Sequence, residues 1–212
     1  MKGHIGLDVW TEPTNFIEEF KCPDNVVDDL LHYFKRREDC QAPGTFGDGE
    51  MSKNPQVAMD IRKIDKERKD SKDLTFFLQG SSENQDYLNH LNQSVEIYAR
   101  KYETLLHMMG IGLAEQVNIQ HYPISGGYKE MHCERLGYFN QSIKRVLVFM
   151  TYLNDVPDGG TTFKYYNHTE KAKKGKTIIW PSDWTHTHCG EISHTSEKFI
   201  ITGWISHLWD IP

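Results

Sequence analysis

The apolar positions change their period partway along the chain. In "DNVVDDLLHYFKRRE", Val27, Leu30, Leu31 and Phe34 fall on one helical face, with Asp24 placed as the N-cap. A longer stripe follows: Leu88, Leu91, Val95, Tyr98, Tyr102 and Leu105 alternate spacings of three and four. It predicts the strongest helix of the chain, ended by "GIG" at Gly110 to Gly112. After Gly112 the helical period is lost. Short runs rich in Val, Ile, Thr, Tyr and Phe take over: "AEQVNIQHY", "YKEMHCE", "KRVLVFMTYLN", "GTTFKYY", "KTIIW", "HTHCG" and "KFIITGWISHLW". The turn signals "PISGG", "NDVPDGG" and "KKGK" divide them. Many short strands at this spacing predict a mainly β antiparallel sandwich or jelly roll, with the N-terminal helices on one outer face. The expectation is a single domain over 1–212, with 1–112 as helical and irregular support and 113–212 as the β core.

Residues 41–82 break both patterns. They are rich in Gly, Pro, Ser and charge and read as a loop with one short strand near Val57 to Ile61. Such a segment is either a functional lid or a plain surface excursion.

Composition narrows the classes. At 212 residues the chain can bury a core without staples. A net charge of -6 argues against broad nucleic-acid binding, and the basic run "KAKKGK" reads as a solvated turn. Four cysteines at wide, irregular spacings contain no CxxC, so a zinc ribbon is not expected and reduced thiols are. No segment nears the roughly 20 apolar residues of a membrane span, and the N-terminus lacks an apolar run of signal length. A soluble, cytoplasmic protein without a membrane partner is expected.

The candidate chemistry centres on "GYKEMHCERLGYF". In a strand, residues i and i+2 share a face, so His132 and Glu134 project together and Cys133 points away. A distant histidine would complete a two-histidine, one-carboxylate triad, a set that leaves metal positions open and is found in Fe(II) oxygenases. Alone, the pair equally fits a half-buried strand. His186, His188 and His194 are the candidates in "WPSDWTHTHCGEISHTSEKFIITGW". Lys198 opens an otherwise apolar strand there. Turned inward, it would need an anion, such as a dicarboxylate; turned outward, it would snorkel to solvent.

Residues 117–204 resemble the Fe(II)/2-oxoglutarate-dependent dioxygenases, and within them the prolyl 4-hydroxylase branch with its phage and bacterial relatives. The likeness runs in order through "VNIQHYPISGGYKEMHCE", "RVLVFMTYLNDVPDGGTTF", "GKTIIWPSDWTHTH" and "EKFIITGW". It implies a double-stranded β-helix (a cupin-like jelly roll), Fe(II), 2-oxoglutarate and O2 as cosubstrates, and ascorbate as a supporting reductant. His132 and Glu134 match the family's metal pair, where aspartate is commoner than the longer glutamate. His188 matches the distal ligand by its offsets, ten before Lys198 and seven after Pro181; His186 fits another offset and stays as the alternative. Lys198 matches the residue that pairs with the far carboxylate of 2-oxoglutarate, and Tyr152 a tyrosine bonding the same carboxylate. Tyr122 matches a pocket-lining tyrosine and Trp204 an aromatic wall, and "GG" of "DGGTTF" a turn before a pocket strand. No catalytic group beyond the metal centre is implied.

The implied activity is hydroxylation of an unactivated C–H, that of a peptidyl prolyl residue first. A free amino acid or other small metabolite is the alternative substrate. A non-catalytic jelly-roll binding or structural protein, as in a phage particle, is the alternative from another class. The compartment would be the host cytoplasm if the chain is phage-encoded. Specificity is expected in the 41–82 loop.

Overall fold

The computed structural model describes residues 14–47, 62–107, 110–135 and 141–208. In chain order, strand β1 (Glu18–Lys21) leads into helix α1 (Asp24–Arg36). Three two-residue strands follow, β2 (Ala42–Pro43), β3 (Phe46–Gly47) and β4 (Arg62–Lys63), then β5 (Lys72–Phe76) and helix α2 (Gln85–Lys101). The remaining strands are β6 (Ile111–Leu113), β7 (Val117–Tyr122), β8 (Arg145–Tyr152), β9 (Val156–Phe163), β10 (His168–Ala172), β11 (Lys176–Pro181), β12 (His188–Gly190) and β13 (Lys198–His207). All pairings are antiparallel. The large sheet runs β1-β11-β8-β13-β7-β5-β2, with β6 also on β13, and the small sheet runs β10-β9-β12.

Strand alternation sorts the large sheet into two faces. Val117 and Ile119 of β7, Leu147 and Phe149 of β8, Ile179 of β11 and Ile201 of β13 pack with Val27 and Leu30 of α1 and Leu91 and Tyr98 of α2. The alternate residues Tyr122, Val148, Met150, Tyr152, Ile178, Trp180 and Ile200 turn the other way, onto Val156, Phe163 and Ala172 of the small sheet. The space between the sheets is the interior of a jelly roll, and the helices cover the outside of the large sheet, as the pattern predicts.

The helix–sheet layer is sealed by one buried polar chain. Tyr87 Oη meets Thr151 Oγ1 at 2.9 Å, Thr151 Oγ1 meets Thr177 Oγ1 at 2.7 Å, and His90 Nε2 meets Thr177 Oγ1 at 2.9 Å.

Several local expectations change. Asp24 begins α1 rather than capping it; Pro23 holds the N-cap position and Lys21 takes the Asp24 carboxylate at 2.6 Å. Helix α2 ends at Lys101, and Leu105 lies in a following 3-10 turn, so "GIG" does not terminate the helix; Gly112 sits in β6. The 41–82 segment holds β5, which pairs residue for residue with β7 from Lys72 to Phe76. The strand expected near Val57 to Ile61 lies outside the described residues. "DGG" is no turn: Gly159 and Gly160 lie inside β9, and a Cβ at Gly160 would run into the Glu170 carbonyl oxygen of the neighbouring strand. No helix among the described residues is long and apolar enough to cross a membrane.

Two outcomes test this packing. Leu91→Ala, which opens the α2–sheet contact, should cost about 2–5 kcal/mol in urea unfolding; a loss near zero would contradict the core position. Burial lowers the His90 pKa. Below about pH 6.5 the unfolded chain therefore binds a proton that the folded chain does not, so stability should fall as pH falls there. His90→Gln should flatten that slope, and an unchanged slope would contradict the assignment.

Candidate metal centre and cosubstrate pocket

His132 and Glu134 lie on an extended segment that makes no regular strand. "YKEMHCE" is reduced to two isolated bridges, Tyr128 to Lys69 and His132 to His188. The second bridge defines the site. His132 N–H donates to the His188 carbonyl at 2.9 Å and His188 N–H to the His132 carbonyl at 2.8 Å. This reciprocal pair is the close-bonded pairing of an antiparallel ladder, and it puts the two imidazoles side by side with ring centroids 4.5 Å apart. Extended backbone, rather than a full strand, is enough to bring Glu134 to the same side.

The three side chains converge. Glu134 Oε1 lies 3.2 Å from His132 Nε2 and 3.8 Å from His188 Nε2, and one donor atom from each residue falls within 4.8 Å of the others. Both rings are oriented from behind. His132 Nδ1 donates to the Glu130 carbonyl at 2.9 Å and His188 Nδ1 to the His186 carbonyl at 2.8 Å. Each Nε2 is thereby turned toward the shared centre. Burial, helped by the adjacent His132, lowers the His188 pKa to about 4, which keeps its imidazole neutral. For Glu134 burial alone would favour the protonated acid. The hydrogen bond and charge of His132, with His188 and Arg145, outweigh it and hold the carboxyl below its ordinary range. Two imidazoles and one carboxylate suit a borderline divalent metal such as Fe(II).

His186 does not join them. It ends a 3-10 turn, Trp184–His186, rather than sharing a strand face with His188. Its Nε2 bonds the Asn15 carbonyl at 2.8 Å and its Nδ1 meets Thr185 Oγ1 at 3.0 Å, so it anchors the N-terminal segment. His194 meets Ser125 Oγ in a surface loop. Arg135, next to Glu134 in sequence, makes a surface ion pair with Asp183 at 3.5 Å.

Beside the triad the jelly-roll interior holds a buried cation. Lys198 is 4% exposed. Its Nζ donates to the Glu191 carbonyl at 2.7 Å and the Gly159 carbonyl at 3.1 Å. No carboxylate among the described residues lies within 4.0 Å of it, and two acceptors leave one of the ammonium's three N–H groups over. Burial lowers its pKa to about 8. Tyr122, its cross-strand partner, offers a ring 5.4 Å away. Tyr152 lies across from Ile200, but its hydroxyl donates to Thr161 Oγ1 at 2.7 Å, which makes Thr161 the hydroxyl that faces onward. Alternation along β9 puts Thr161 on the same face as Phe163, a signal present in "GGTTF" that the residue reading passed over.

A dicarboxylate fits this layout. Lys198 Nζ lies at Gly190 and Glu191, two to three residues beyond His188 on the same run of chain. Two strand residues advance about 6.6 Å, on the scale of a five-carbon diacid. Trp204 shares the inward face with Lys198 but reaches the triad itself: its Nε1 donates to Glu134 Oε2 at 3.0 Å. Tyr128 stacks on His132 at 4.1 Å between centroids, and Trp184 is exposed.

Residues 117–206 match the family model of the 2OG-Fe(II) oxygenase superfamily. No curated protein matches the chain in sequence. In fold the chain is similar to a Pseudomonas putida prolyl-4-hydroxylase (TM-score 0.64, 15% identity, 92% of this chain and 95% of that one). It is similar to the viral collagen prolyl hydroxylase of Paramecium Bursaria Chlorella virus-1, solved as its 2OG complex (TM-score 0.63, 16% identity, 92% and 97%). A Trichoplax adhaerens prolyl hydroxylase, solved with a hypoxia inducible factor oxygen degradation domain peptide fragment, is a third (TM-score 0.64, 14% identity, 91% and 84%).

The buried ammonium has a measurable cost. A fall from 10.5 to about 8 corresponds to roughly 3 kcal/mol. Lys198→Met should therefore stabilise the metal-free protein by about that amount below pH 8 in anion-poor buffer. The advantage should shrink as pH rises from 8 towards 10.5, where the folded wild-type chain sheds its proton and the unfolded chain keeps it. Urea unfolding measures both, and a destabilised variant at neutral pH would contradict an uncompensated charge.

Proposed function

We propose that this chain, whose residues 117–206 match the model of the 2OG-Fe(II) oxygenase superfamily, is a 2-oxoglutarate-dependent dioxygenase that hydroxylates a peptidyl prolyl residue. The observation that carries the proposal is the pairing of a convergent His–Glu–His set with a buried lysine that lacks a carboxylate partner among the described residues. In this reading the whole of 1–212 acts as one domain, since β1 and β5 from the first half complete the large sheet.

His132, Glu134 and His188 would hold Fe(II), and Lys198 would bind the far carboxylate of 2-oxoglutarate. Bound Fe(II), with the keto acid and O2, supplies oxidative decarboxylation to succinate and CO2 and one oxygen atom for a C–H bond. The protein's share is placement. The ammonium would give the diacid a charge-assisted hydrogen bond in a dry interior, where such bonds are strongest, and so fix which end faces the triad. Thr161, backed by Tyr152, is a second hydroxyl for the same carboxylate. Tyr122, Phe163 and Trp180 are buried round the pocket and exclude water. Glu134 fills the third protein position, so none is left for a halide, and hydroxylation is favoured over halogenation.

The substrate class rests on the company the fold keeps: the three similar structures are prolyl hydroxylases, and one was solved with a peptide. Mass spectrometry of proline-containing peptides incubated with the protein, Fe(II), ascorbate, 2-oxoglutarate and air tests it. The expected product carries one added oxygen on proline, formed one-for-one with succinate, and His132→Ala and His188→Ala abolish it while His186→Ala does not. Succinate formed with a free amino acid but with no peptide would overturn the prolyl assignment.

A further inference from the structure

Glu134 is held by more than the two histidines. Its second oxygen, Oε2, accepts from Trp204 Nε1 at 3.0 Å and lies 3.4 Å from Arg145 Nη1. Arg145 also donates to the Glu134 backbone carbonyl at 3.2 Å and sits over the Trp204 indole, its guanidinium carbon 3.4 Å from the ring centroid. Its remaining donors are fastened from the far side by Glu115, with Nε to Oε1 at 3.1 Å and Nη2 to Oε2 at 2.7 Å. Ser206 Oγ completes the group on Glu115 Oε1 at 3.1 Å. The members come from three places along the chain: Glu115 just ahead of β7, Arg145 at the start of β8, and Trp204 and Ser206 near the end of β13.

We infer that Trp204 and Arg145 are positioning residues that clamp Glu134 by Oε2 and leave only Oε1 for the metal. The inference rests on the reading of His132, Glu134 and His188 as the metal centre. Two physical points support it. A glutamate has one more rotatable bond than an aspartate, so its carboxylate must be restrained to present a single oxygen. And the restraint is built of rigid parts: a bidentate ion pair and a cation–π contact, each largely buried, lose little freedom when the metal binds. The Glu115 carboxylate also offsets the Arg145 charge, so the clamp holds Glu134 without drawing off the electron density its Oε1 offers the metal. Trp204 thereby has a different job from the aromatic wall that the family resemblance implies.

Anaerobic titration of the full-length metal-free protein with Co(II), followed by its visible absorption, tests the clamp without catalysis. Trp204→Phe keeps an aromatic ring and removes the donor. It should weaken Co(II) about tenfold and change the absorption bands, with the melting temperature of the metal-free protein little altered. Arg145→Lys should weaken it as well. Glu134→Asp, one methylene short of spanning Trp204 and the imidazoles, should bind worse than the wild type. Should Arg145→Lys fail to fold, Trp204→Phe and Glu134→Asp decide. Wild-type affinity and spectrum in folded Trp204→Phe and Glu134→Asp would overturn the clamp alone. A wild-type chain that binds no Co(II) would sink the metal centre and the clamp with it.

Discussion

Strand β13 is hydrogen-bonded along both edges, to β7 on one side and β8 on the other. A slip of one residue would exchange its two faces, sending Lys198 to the helices and Ile201 into the jelly-roll interior. The helices prevent it. Ile201 and Ile205 are packed under α1 and α2 in the larger core cluster, so the register is held by apolar burial on the side away from the chemistry. The site on the other face inherits its order from that. Lys198, Ile200 and Trp204 point inward because their neighbours cannot.

The small sheet and the segment before β8 supply the other half. The reciprocal hydrogen bonds of His132 and His188 join two stretches of chain far apart in sequence, and each ring is turned by a backbone carbonyl behind it. No side chain has to be recruited to fix either tautomer. Charge is arranged by contrast. Glu134 is surrounded by donors and stays ionised, while Lys198 is surrounded by carbonyls and apolar rings and is left short of an anion. One carboxylate is satisfied and one ammonium is waiting, which is an arrangement that favours an acidic ligand and costs stability without it.

Much of this is legible in the sequence where it depends on local periodicity. The two helices, the run of late strands, and the shared inward face of Lys198 and Trp204 follow from spacings of three, four and two. Features set by distant contacts are not. The β5 strand "KDLTF" carries two charges in five residues and takes its form from pairing with β7. His186 and His188 cannot be told apart by parity; a 3-10 turn, which parity does not describe, swings His186 to Asn15. Arg145 reaches Glu134 from 11 residues away, and Glu115 and Ser206, which brace Arg145 in turn, lie 19 and 72 residues from Glu134, so no spacing announces them. Gly160 looks like a turn residue and is instead a close approach between strands.

The claim on which the account stands is that one cavity holds both a divalent metal and an acidic keto acid. Anaerobic addition of Fe(II) and 2-oxoglutarate to the metal-free protein tests it most directly. A keto acid chelated to Fe(II) gives a weak visible charge-transfer band, which should appear only when both are present. In Lys198→Met the band should require far more 2-oxoglutarate while Fe(II) alone still binds. Absence of the band in folded, freshly reduced wild-type protein would contradict the account, and so would a band whose 2-oxoglutarate dependence ignores Lys198.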